Sequence, residues 1–127
     1  MKNFEQIRAK NALDWKDKIR KGKGDGENVA KKVPVMILDN GIIAAAAFAL
    51  EKDEGYADVF RAIACHLKDS NIQLLESTFP SDSLKNLITH LTTRSSSELR
   101  LITAETIAFL NYLRRFVKKE KKGKNDA

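Results

Sequence analysis

The most regular run of apolar positions lies late in the chain. Leu99, Ile102, Thr106, Phe109, Leu113 and Phe116 recur at alternating steps of three and four, and Leu110 and Val117 widen the stripe. That spacing predicts one long helix from about Ser96 to Lys118, the spine of a helical bundle. Ser95-Ser96-Ser97-Glu98 in front of it fits a capping box, in which the Ser95 and Glu98 side chains satisfy each other's backbone donors. Tyr56, Phe60, Ile63, Ala64 and Leu67 predict another helix ending near Asp69-Ser70-Asn71, and Leu84, Leu87, Ile88 and Leu91 a third, opened by Pro80-Ser81-Asp82. Residues 72–79 keep no single period and predict a short helix or an ordered crossover. No strand pattern of any strength occurs.

The stretch from Ala30 to Leu50 organises the first half. Val29, Val33, Met36 and Ile37 keep helical spacing, with Asp25 available as the cap and Pro34 expected to kink the helix by removing one backbone hydrogen bond. Asn40-Gly41 is a helix stop, since glycine takes the left-handed conformation without a Cβ penalty. Ile42-Ile43, four alanines and Phe48 then start a new helix whose small side chains admit close approach, which predicts a tight helical hairpin. Phe4, Ile7, Ala12, Trp15 and Ile19 fall on one side of an N-terminal helix, with Arg8 and Asn11 inside the same arc. A basic amphipathic helix carrying Trp could lie on a membrane surface, but Asp14 and Asp17 dilute its basic face and favour the core. Gly22, Gly24 and Gly26 alternate with Lys21 and Lys23, yet no strand precedes them and no Gly-Lys-Ser/Thr closes them, so they read as a linker and not a phosphate loop.

The whole is an all-α, single-domain bundle of about five to seven helices over residues 1–120, with a basic disordered tail at 121–127. A chain of 127 residues buries about two thirds of its unfolded surface. Its longest apolar run, Ile42 to Leu50, spans nine residues where a membrane crossing needs about twenty. One cysteine excludes an internal disulfide framework, and nothing at the start resembles a signal sequence, which points to the cytoplasm. The net charge of +6 divides unevenly: residues 1–32 carry ten basic and five acidic side chains, 33–93 four and eight, and 94–127 nine and four. Basic ends around an acidic middle suggest a polyanion on one surface and a protein on another, against the plainer alternative of solvated faces and a lysine tail. Arg20, Lys21, Lys23, Lys31, Lys32, Arg114, Arg115, Lys118 and Lys119 are the candidates for contact with an RNA backbone, chosen by clustering of charge.

Candidate chemistry is sparse. Cys65 and His66 are neighbours pointing about 100° apart on a helix, and His90 is distant in sequence, so no nucleophile pair or zinc site is spelled out. Glu105 reads as a capping or interhelical contact near Thr103. A small basic ribonuclease using His66 and His90 is conceivable, but nothing is seen to position them. No catalytic residue, cofactor or metal is assigned.

Three segments taken together resemble a known family. They are Ala30-x-x-Val33-Pro34-x-x-Ile37-x-x-x-Gly41-Ile42 running into Phe48, the helix closing at His66-Leu67, and Leu101-x-Thr103-x-Glu105 followed by Phe109-Leu110-x-x-Leu113-x-Arg115-Phe116. The pattern resembles the small helical subunit of the Cmr complex, the type III-B CRISPR effector, over about residues 5–118. The resemblance implies an all-α, noncatalytic subunit of an antiviral ribonucleoprotein. Several copies would stack as an inner filament beside the backbone subunits that hold the guide RNA, next to the large catalytic subunit. The basic face left over would meet crRNA or target RNA through its backbone alone. The other reading of the same residues is a helical protein–protein adaptor whose basic ends serve solubility, with no nucleic-acid role.

Overall fold

In the computed structural model residues 3–21, 25–52 and 54–117 are described, Arg20 and Lys21 by their backbone only. They form six helices: α1 (Phe4–Lys21), α2 (Gly26–Asn40), α3 (Ile42–Lys52), α4 (Tyr56–Leu67), α5 (Leu84–Thr92) and α6 (Ser96–Phe116). No strand occurs among the described residues, so the domain is all-α with a long C-terminal helix. The tail at 121–127, the central residues of the glycine-lysine linker and Asp53 lie outside the described residues.

The local signals act where chemistry requires them. Asp25 caps α2 by accepting from the Asn28 amide, and Ser83 caps α5 by accepting from the Asn86 amide, one residue beyond the Pro80-Ser81-Asp82 signal. Ser95 and Glu98 form the reciprocal capping box on α6. Gly41 breaks the chain between α2 and α3 at φ 94°, but its ψ of 158° lies outside the left-handed helical well, in a region essentially restricted to glycine. Its N–H donates to the Ile37 carbonyl at 2.8 Å, closing α2. Pro34 sits buried inside an unbroken α2.

One core joins all six helices. α6 supplies Ile102, Phe109, Leu110 and Leu113, and α4 is buried on nearly every side, from Tyr56 and Val59 to Ile63 and Leu67. Only half of the alanine run faces inward: Ala45 and Ala46 are buried and Ala44 and Ala47 are exposed, because four consecutive helical positions cannot share one face. Phe4, placed on the inner arc by periodicity, is 49% exposed at the first position of α1, where no preceding turn covers it. Residues 68–83 form an ordered crossover and not a helix. Leu74 and Leu75 both donate to the Leu67 carbonyl, and Ile72 and Leu75 are buried as its anchors.

Candidate functional site

The inner arc of α1 carries Arg8 and Asn11, three residues apart and so on one face. Opposite them α4 presents His66 from its last turn and α6 presents Glu105. Arg8 Nε and Nη2 donate to Glu105 Oε2 and Oε1, each at 2.8 Å, in the paired-fork geometry that guanidinium and carboxylate favour. His66 Nε2 lies 2.8 Å from the same Oε2. Asn11 Nδ2 lies 2.9 Å from His66 Nδ1 and donates to Asp69 Oδ2 at 3.1 Å. The imidazole stacks on Phe109, centroids 4.4 Å apart and planes 11° from parallel.

These partners fix the protonation pattern. With an amide donor on Nδ1 and a carboxylate on Nε2, His66 is the neutral tautomer that carries its proton on Nε2. Burial holds its pKa below the ordinary imidazole value, against the pull of Glu105. Burial alone pushes Glu105 up, but hydrogen bonds from Arg8 and His66 outweigh it and hold the carboxyl below its usual range. Asp69 is likewise held low: hydrogen bonds from Asn71 and Asn11 outweigh its burial.

This arrangement ties α1 to α4 and α6. Both ring nitrogens of His66 are engaged, its side chain is fully buried, and neither Cys65 nor Ser81 joins it, since the Cys65 thiol donates to Ser81 Oγ at 3.3 Å. His90 belongs elsewhere: it accepts from Arg94 Nε at 2.9 Å and meets Phe79 edge-on. Burial first, then Arg94, holds its pKa below the ordinary value. The two histidines therefore do not converge. Among the described residues no group of three or more His, Cys, Asp or Glu is placed to hold a metal ion, and no helix is long and apolar enough to cross a membrane. Glu105 is an interhelical contact as expected, though its partners are Arg8 and His66. Half of the signal for the network was in the sequence: Arg8 and Asn11 are polar side chains inside the apolar arc of α1, and buried polar groups need partners, whereas His66 and Glu105 lie beside the stripes of α4 and α6.

The charge-selected residues are only partly visible. Lys31 and Lys32 are exposed on α2, Lys31 within 3.5 Å of Glu27. Arg115 is exposed and donates to the Asn111 carbonyl at 2.8 Å, while Arg114 beside it is half-buried. Arg20 and Lys21 occupy the last turn of α1, and their side chains, with Lys23, Lys118 and Lys119, lie outside the described residues. A separate apolar surface is present. Exposed Phe4, Leu38 and Leu101 flank Ala104 of α6, with Leu74 on one side and Ile107 on the other.

Six helices around one core, with a buried polar latch tying α1 to α4 and α6, define a small all-α domain with a long C-terminal helix. Residues 4–120 match the family described as CRISPR-associated protein (Cas_Cmr5), and with nearly the whole chain covered the protein belongs to that family. It is a CRISPR-associated subunit of a Cmr complex. No curated protein and no solved structure matches the chain.

Proposed function

We propose that the protein is a noncatalytic small subunit of a type III-B CRISPR ribonucleoprotein effector. Copies of it stack as a short inner filament against the backbone subunits and beside the large catalytic subunit, and they meet crRNA or target RNA through its phosphates. Family membership over residues 4–120 is the observation that carries this reading. The charge pattern supports it: a head-to-tail stack needs two different complementary patches on each copy, and a basic end against an acidic middle supplies them. Sequence choice would then rest with guide pairing, and the contact of this subunit with the strand would be electrostatic.

The test is binding of labelled single-stranded RNA to the purified protein across a salt series. Weak binding without sequence preference, falling steeply with salt, is expected; salt-independent or sequence-selective binding overturns the reading. Reversing Arg114, Arg115, Lys118 and Lys119 to Glu, with RNA retention and self-association measured separately, discriminates the second reading. The exposed apolar surface around Ala104 favours a protein–protein adaptor. Loss of self-association with RNA retention intact would support that adaptor.

A further inference from the structure

The crossover between α4 and α5 encloses a cleft of about 610 Å³ that none of the charge-selected residues lines. Its wall carries two cations, Lys68 and Arg94, with Ser70, Ser77, Thr78 and Gln73 between them. Each cation has an uncharged partner, and Arg94 has a carboxylate besides. Lys68 Nζ donates to the Phe79 carbonyl at 3.1 Å, and Arg94 Nε donates to His90 Nε2 at 2.9 Å. Arg94 Nη1 is also ion-paired with Glu98 Oε2 at 3.1 Å, while among the described residues Nη2 has no partner and Lys68 faces no carboxylate within ion-pair distance. None of the three hydroxyls is hydrogen-bonded within the described residues, nor is the Gln73 side chain, so exposed, unengaged donors line the cleft around Lys68 and the free edge of the Arg94 guanidinium. The wall is preformed: Gln73 is held at φ 54°, a left-handed conformation uncommon outside glycine, while its N–H and that of Ile72 both donate to the Asp69 carbonyl at 2.8 Å.

We propose that this cleft seats a phosphodiester of single-stranded RNA, with Lys68 and Arg94 on the phosphate oxygens and Glu76 accepting from a ribose 2′-hydroxyl. The proposal rests on the RNA-contacting reading above and moves the contact from the basic ends to a shaped site. Donor-rich walls with two cations suit an anion of low charge carrying many acceptors. A single carboxylate, Glu76, lines the same cleft, and a carboxylate there disfavours a second close phosphate while offering an acceptor to the 2′-hydroxyl that deoxyribose lacks.

The experiment is fluorescence polarisation of full-length protein with a labelled oligouridylate and its deoxy counterpart across a salt series. Each cation removed should lower the slope of log affinity against log salt by about 0.7. Between 1 M and 0.1 M salt that slope is worth about fivefold in affinity. Lys68→Gln and Arg94→Gln should each show this loss, Lys68→Arg should restore most of it, and Glu76→Gln should bring RNA and DNA affinities together. Lys85→Gln on exposed α5 makes the same charge change away from the cleft and should leave the slope near that of the parent. Circular dichroism melts exclude misfolding, and Lys68→Gln carries the test should Arg94→Gln melt early. If the parent binds RNA and Lys68→Gln matches it, or Lys85→Gln falls equally, the cleft assignment is overturned and the broader reading stands. If the parent binds no RNA at low salt, the broader reading falls and this one with it.

Discussion

Replacing Glu105 probes the latch most directly, because its two oxygens receive three donors: Arg8 Nε and His66 Nε2 on Oε2, and Arg8 Nη2 on Oε1. In Glu105→Gln the amide oxygen can occupy the Oε2 position and keep two of these bonds. The amide nitrogen then faces Arg8 Nη2, donor against donor. One charge-assisted hydrogen bond is lost, at about 2 kcal/mol. Glu105→Leu strands all three donors. Arg8, with 24% of its side chain exposed, can turn its guanidinium to water, but the His66 side chain is fully buried and its Nε2–H has nowhere to go. A stranded buried donor adds its desolvation cost, bringing the total to about 4 kcal/mol, within the range for breaking a buried pair. For a domain of this size roughly 4 °C of melting temperature accompanies each kcal/mol, so drops of about 8 °C and about 16 °C are expected. Far-UV circular dichroism melts at neutral pH measure the order, and urea unfolding with an unchanged m-value confirms that the native state alone is affected. Equal melting temperatures for the Gln and Leu variants, or a Leu variant indistinguishable from the parent, would refute the assignment of these bonds.

Acid should unfold the protein in two stages. His66 has a folded pKa below its ordinary 6.5, so the unfolded chain takes the proton first and stability falls as pH drops below about 6.5. Glu105 and Asp69 are also held low, and their contributions are lost as pH falls further, below about 4.5. Melting temperature should be level above neutrality and decline through both windows; His66→Gln should flatten the upper one, with His90, also held low, supplying what remains. Thr106 is fully buried and its hydroxyl has no hydrogen-bond partner among the described residues, so Thr106→Val should stabilise by about 1 kcal/mol; a lower melting temperature would contradict this. At Gly41 a Cβ would meet no atom within 4 Å, so Gly41→Ala should cost only its backbone strain at φ 94°, about 2 kcal/mol. An unchanged urea midpoint for that variant would show that the chain relaxes out of this conformation.

Most of the fold was legible because strong local signals agreed with the apolar period. The capping box at Ser95, the stop at Asn40-Gly41 and the stripes of α4 and α6 stand where the residues imply. What could not be read is long-range. Arg8 and Glu105 lie 97 positions apart, and no local rule pairs them. His66 reads from sequence as a packing or surface residue, whereas it is buried among polar partners drawn from α1 and α6. The crossover was legible only as aperiodic sequence, because its order comes from tertiary anchors, with Ile72 and Leu75 buried and Leu67 serving as the acceptor.

The latch also accounts for how so polar a helix as α1 is held. Among its described residues the fully buried apolar side chains are Ile7, Ala12 and Ile19, while Phe4 and Leu13 are about half exposed. An apolar strip that thin constrains rotation and axial position poorly, because small sliding movements exchange one greasy contact for another. Hydrogen bonds do not slide: Arg8 meets a two-oxygen acceptor, and Asn11 must reach His66 and Asp69 at once, so only one placement of α1 satisfies both residues. Further along the bundle, Tyr112 of α6 donates to Glu5 at 3.0 Å and adds a third pairing at the exposed edge. That fixity extends to the surface, since a shift of α1 would move Phe4 relative to Leu101 and alter the apolar face around Ala104. The polar interior thus sets the apolar exterior: the hydrogen bonds that place α1 also place the side chains that form the face around Ala104.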